Sequence, residues 1–112
     1  MTDREYLELA AKAAGIELRW HPDGTAYSDS RCKDYWGVWN PLADDGDALR
    51  LAVKLFMFVD SAAGAPDSFG AELVRAGNEV VDKTEPRTHD DPYAATRRAI
   101  VRAAAEIGRT MK

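Results

Sequence analysis

A chain of 112 residues, 46% hydrophobic and 30% charged, has the length of one domain and enough apolar content for a packed core, which argues against wholesale disorder and against two independent units. No apolar run approaches the roughly 18–20 residues that span a bilayer, and Met1-Thr2-Asp3-Arg4-Glu5 is polar where a signal peptide would be basic and then greasy, so the expected location is the cytoplasm. The net charge of −4 is unevenly spread: from Pro92 onward Arg97, Arg98, Arg102, Arg109 and Lys112 stand against Glu106 alone, so a basic end follows an acidic body. Overall acidity works against non-specific nucleic-acid binding, and pairing of the basic segment with an acidic sheet or loop is favoured over a partner-binding face.

Thr2 and Glu5 have the spacing of a capping box, which predicts a helix over 3–14 with Tyr6, Leu9, Ala10 and Ala13 on one face and Gly15 ending it. Ile16, Leu18 and Trp20 alternate with Glu17 and Arg19 as a half-buried strand does. His21-Pro22-Asp23-Gly24 reads as a turn, Thr25 to Ser28 as the returning antiparallel strand, Asp29 to Asp34 as a loop, and Tyr35-Trp36-Gly37-Val38-Trp39 as a further strand.

Asn40-Pro41-Leu42 breaks that strand, and the acidic residues Asp44, Asp45 and Asp47 precede an apolar run of Leu49, Ala52, Val53 and Phe56, predicting a second helix over 46–55. Phe56-Met57-Phe58-Val59 reads as a buried strand and Ser61 to Gly70 as a loop. Gly77-Asn78 between 72–76 and 79–83 signals a hairpin whose register sets Val74 opposite Val81 and Glu72 opposite Lys83. Asp91-Pro92 is a helix start, with Tyr93, Thr96, Ile100, Ala104, Ile107 and Met111 forming the apolar stripe of a helix from 92 to 108 or beyond and Arg98, Arg102 and Arg109 turned toward water. The expected fold is α+β: one mainly antiparallel sheet of four to six short strands packed with N-terminal, central and C-terminal amphipathic helices, in an α-β-α sandwich over residues 1–112.

Catalytic and metal chemistry finds little purchase. The lone Cys32 cannot form an internal disulfide and has no base beside it in sequence, so it reads as an inert thiol in a reducing compartment. Asp44-Asp45-Gly46-Asp47 resembles a calcium loop only at its start, because the twelfth position, where a glutamate ligand belongs, is Leu55; helix capping is the preferred role. His21 and His89 have no ligand-spaced neighbours, and no Walker, Rossmann or G-x-S-x-G pattern occurs. The expectation is therefore no enzyme, no metal and no cofactor. Trp20, Trp36 and Trp39 are dense for so short a stretch; core packing is preferred, with stacking on single-stranded nucleic acid weakened by Asp23, Asp29 and Asp34 among them.

Three segments, taken together, carry a family resemblance: Leu7-Glu8-Leu9-Ala10-Ala11-Lys12-Ala13-Ala14-Gly15-Ile16; Trp39-Asn40-Pro41-Leu42-Ala43-Asp44-Asp45-Gly46-Asp47-Ala48-Leu49-Arg50-Leu51-Ala52-Val53-Lys54-Leu55; and the stretch from Asp91-Pro92-Tyr93 to Glu106-Ile107-Gly108. In that order they resemble short proteins of tailed phages and prophages related to the phage ABA (α-β-α) sandwich domain. The resemblance implies a phage origin and an α-β-α layering, brings no catalytic residues, and leaves residues 56–90 unmatched. Phage accessory proteins of this size commonly bind and block host machinery, defence complexes such as CRISPR effectors included, so the expected function is protein–protein binding to a host protein or complex, without catalysis. The expected contact residues are Asp60, Asp67 and Phe69 with the hairpin tip Gly77 and Asn78, then the Arg98, Arg102 and Arg109 face. The alternative is a small nucleic-acid or ligand-binding module that uses the tryptophans and the basic last helix. A membrane partner is not expected, nucleic acid is the less favoured partner, and a homo-oligomer is left open.

Overall fold

The computed structural model describes residues 2–32, 35–63, 73–76, 79–82 and 92–111. Helix α1 (Asp3–Ala14) begins where the capping box puts it: the Thr2 hydroxyl accepts the Glu5 N–H at 3.2 Å and the Glu5 carboxylate accepts the Thr2 N–H at 3.4 Å. It ends in a Schellman motif, with Gly15 left-handed at φ 70°, its N–H on the Lys12 carbonyl and the Ile16 N–H on that of Ala11. Strands β1 (Arg19–Trp20), β2 (Ala26–Cys32) and β3 (Tyr35–Val38) make one antiparallel sheet in the order 1-2-3. Helix α2 (Asp45–Lys54) follows, then β4 (Val59–Ala63), β5 (Leu73–Ala76) and β6 (Glu79–Asp82) as a second antiparallel sheet in the order 4-5-6, and α3 (Pro92–Thr110) closes the chain.

The fold is thus α+β, with three helices among the described residues, but the expected single sheet of four to six strands is not what forms: the strands described divide into two sheets of three. Helix α2 stands between β3 and β4 in sequence, and among the described residues no ladder joins the two sheets. Two local expectations are also corrected. Residues 29–32, expected as loop, extend β2, which carries them past a register shift between Ser28 and Cys32. Ile16 and Leu18, expected in the first strand, precede the two-residue β1 and pack against the core as partly buried side chains. The first turn agrees with expectation: the Asp23 carboxylate accepts the Thr25 N–H at 2.9 Å, which holds its pKa below the usual carboxylate value, and Gly24 sits at φ 89°.

Helix α3 is the spine. It packs against α1, against α2 and against all three strands of the second sheet. Its contacts with α1 run in the same direction on both helices, Asp3 with Arg98, Leu9 with Gly108 and Lys12 with Met111, so the two helices are parallel. Parallel dipoles place two negative ends side by side; Lys12 answers this by donating its ammonium to the Met111 carbonyl at 2.9 Å. Small residues allow the close approach, since Ala10, Ala11 and Ala14 on α1 and Ala95, Ala99, Ala103 and Ala104 on α3 are all buried in one cluster with Leu7, Leu51 and Val101.

This central position overturns the stripe expected for α3. Burial extends around the helix to Val101 and Ala105, whereas Tyr93, Ile107 and Met111, expected inside, are exposed at its ends. Arg98 and Arg102, expected to face water, are half-buried. A helix flanked on several sides has no single wet face, and the periodicity of its larger residues alone does not reveal that.

Candidate functional site

The segment that shapes the candidate site runs from Trp39 to Val59. Asp44 caps α2, its carboxylate accepting the Asp47 N–H at 2.8 Å. Asp47, only 2% exposed, reaches back with its own carboxylate to the Asn40 N–H at 3.0 Å and receives the Arg50 guanidinium at 2.6 Å. Asn40 in turn accepts the Leu42 N–H at 3.1 Å. The acidic cluster is therefore a capping network that fastens the loop after the buried Trp39 to the helix, the role its sequence suggested. Among the described residues no group of three His, Cys, Asp or Glu side chains is placed to hold a metal ion.

Helix α2 carries apolar residues on two sides. Ala48, Leu51 and Ala52 face the core, and Leu49 and Val53, expected to be buried, face water. The helix ends in a second Schellman motif, with the Phe56 N–H on the Val53 carbonyl at 3.1 Å and the Met57 N–H on that of Ala52 at 2.9 Å. The position taken by Gly15 in the first motif is taken here by Phe56, left-handed at φ 52° and 96% exposed. Among the described residues it is the sole non-glycine with positive φ. Met57 turns inward against the core, Phe58 turns out at 66% exposure, and Val59 turns in to start β4. The buried strand expected over 56–59 is thus corrected to a helix terminus followed by an alternating entry into β4.

Beside this surface a groove of about 370 Å³ lies between α2, β4 and α3. Buried Ala48, Ala52 and Ile100 lie along it with half-buried Val59, and Leu49 and Tyr93 border it as exposed side chains. At its polar edge Arg97, 16% exposed, donates through Nε to the Leu42 carbonyl at 2.9 Å and through Nη1 to Asp45 at 2.5 Å, tying α3 to the start of α2. Leu49, Val53, Phe56 and Phe58 were missed as surface residues in the sequence reading. The available signal was the excess of apolar positions around α2, more than a ten-residue helix needs for one face.

The residues expected to make contact fare differently. Asp67, Phe69, Gly77 and Asn78 lie outside the described residues, as does His89; Asp60 pairs with Arg75 in the β4–β5 ladder, its side chain outside the description together with that of Cys32. Arg98 reaches Asp3 at 3.6 Å and Arg109 is paired with Glu106 at 2.5 Å, both on helices, Arg102 is half-buried on α3, and Arg97 holds the Leu42 carbonyl in the loop before α2, so the basic segment is engaged within the chain by helix residues as well as by the expected loop. The tryptophans also separate. Trp39 is in the core, Arg4 sits 4.3 Å from the Trp20 ring centre, and Arg19 lies 3.9 Å from that of Trp36. Each of these two rings already has a cation over one face.

No protein-family model matches the chain, no curated protein matches it, and no solved structure matches it. No helix among the described residues is long and apolar enough to cross a membrane.

Proposed function

We propose that this chain is a non-enzymatic protein-binding domain whose contact surface runs from Leu49 and Val53 on α2 through Phe56 to Phe58. One observation carries the reading: a phenylalanine occupies a left-handed helix terminus and points almost wholly into water. Its backbone favours glycine and its side chain favours burial, so the folded monomer is disadvantaged twice. Exposed apolar surface that the fold itself does not use marks a site of association.

The resemblance to short phage and prophage proteins directs the choice of partner to a host protein or complex in the host cytoplasm, defence assemblies such as CRISPR effectors among them. The α-β-α layering belongs to the same proposal, supported on one side by the packing of α3 against the second sheet. The Asp60 to Gly70 stretch, with Asp67 and Phe69, and the Gly77-Asn78 hairpin tip follow this surface in sequence and extend the proposed contact.

Phe56→Gly tests the reading because its two consequences have opposite signs. Removing the Cβ at a left-handed position is expected to raise the unfolding free energy by about 1 kcal/mol, read as a higher denaturation midpoint. The same change is expected to cut recovery of a stoichiometric partner in affinity capture from host lysate at least tenfold. Equal recovery by both proteins, or no partner for either, overturns the proposal. In a parallel titration with single-stranded DNA or RNA at low salt, indole emission is expected to stay constant; a saturable change would favour the nucleic-acid alternative.

A further inference from the structure

We infer that a second copy of this chain covers the same apolar face in the absence of another partner, by antiparallel pairing of α2 across a two-fold axis with Phe56 of each copy entering the α2–α3 groove of the other. The inference rests on the reading of Leu49, Val53, Phe56 and Phe58 as a binding surface, and names an occupant for it.

Three observations point to a second copy. The first is the placement of charge around α2. Exposed Asp44 and Asp45 stand at its start, and Lys54 is exposed at its end. Nine residues of separation put Asp45 and Lys54 on opposite sides of the helix, and Asp45 already holds Arg97, so the side that carries Leu49 and Val53 between them is apolar and can meet its own copy. Antiparallel helix dipoles add in the same direction. A face of one sign would repel its own copy; this one does not.

The second is the placement of the groove. It borders the first half of α2, at Asp45, Ala48, Leu49 and Ala52, whereas Phe56 lies just beyond the last turn. Antiparallel pairing that sets Val53 against Leu49 of the other copy brings Phe56 to the groove mouth, and the two-fold repeats the contact. A volume of about 370 Å³ accommodates one aromatic side chain among apolar walls. The third is area. Two phenylalanines exposed at 96% and 66%, with Leu49 and Val53 beside them, leave on the order of 500 Å² of apolar surface per copy, or roughly 1,000 Å² for the pair. That is the lower end for a specific interface, so the dimer is weak, dissociating in the micromolar to sub-millimolar range, and a host partner can displace it.

Sedimentation velocity of the full chain over a wide concentration series tests this. Wild type is expected to shift from monomer to dimer with concentration, and Phe56→Gly to need at least ten times more protein for the same shift while melting no lower than wild type. Val53→Lys, an exposed position that the pairing sets against Leu49 of the other copy, is expected to raise the concentration needed for self-association at least tenfold. A wild-type chain monomeric throughout, or a dimer indifferent to both Phe56→Gly and Val53→Lys, overturns the inference. A monomeric chain whose host partner is lost on Phe56→Gly rejects the dimer and leaves the proposed function standing; a Phe56-dependent dimer without a host partner does the reverse.

Discussion

Gly108→Ala is expected to be more damaging than the same change at Gly15, Gly24 or Gly46. A Cβ at Gly108 falls 1.9 Å from the Leu9 carbonyl oxygen and 2.8 Å from its carbon. The obstacle is the backbone of α1, which no rotamer change can move, so α1 and α3 must separate. Helix propensity acts the other way, since alanine is worth about 1 kcal/mol more than glycine inside a helix. The clash wins: overpacking against yielding side chains costs about 1–3 kcal/mol, and opening the Ala10–Ala104 layer adds to it by loosening a buried cluster. A net loss of about 3 kcal/mol is expected, or roughly 15 °C in Tm for a domain of this size. Gly46→Ala is the matched control. The atoms nearest its Cβ are the tip of the flexible Arg50 side chain at 3.2 Å and the Asp44 carboxylate at 3.3 Å, so helix propensity decides and the change is expected to be neutral or slightly stabilising. Thermal unfolding of both variants checks the pair; equal Tm changes would contradict the close α1–α3 approach.

Asp47→Ala is expected to cost about 2–3 kcal/mol. Its carboxylate is buried and satisfies both the Asn40 N–H and the Arg50 guanidinium, so truncation leaves a partly buried backbone donor without an acceptor and removes a negative charge from the first turn of α2. The Arg50 end of the pair contributes less, because its side chain is half exposed and can move to Asp44, now 3.7 Å away. Arg50→Ala is therefore expected to lose under about 1 kcal/mol. Asp47→Asn, which retains an oxygen for the Asn40 N–H but gives up the charge, is expected to fall between the two. Chemical denaturation with an unchanged m-value tests the order; an Arg50→Ala loss equal to that of Asp47→Ala would mean that the ion pair, and not the backbone hydrogen bond, holds the loop. Because this network fixes where α2 starts, it also fixes where Leu49, Val53 and Phe56 point.

How much of this was legible depends on the range of the interaction involved. The bounds of α1 follow from Thr2, Glu5 and Gly15, each acting within four residues, and the structure reproduces them from Asp3 to Ala14. Asp44 as a cap and Pro92 as the first residue of α3 belong to the same class. So does the register that sets Val74 opposite Val81; Glu72 and Lys83, the expected outer pair, lie outside the described residues together with the proposed cap Asp91. Phe56 was misread because its signal is inverted. A left-handed terminus is announced by glycine or asparagine, and a phenylalanine in the sequence Phe-Met-Phe-Val announces a strand.

What the sequence by itself determined is therefore local: the caps, the turn at Asp23-Gly24, the hairpin register and the α+β class, all set by hydrogen bonds and dihedral preferences between near neighbours. Only the tertiary structure decided that the strands form two sheets, that α3 is buried nearly all round, that Gly108 must lack a side chain, and that one apolar side of α2 stays in water. Each of those depends on which surfaces meet, and a pattern of apolar residues states that a face seeks cover without stating what covers it.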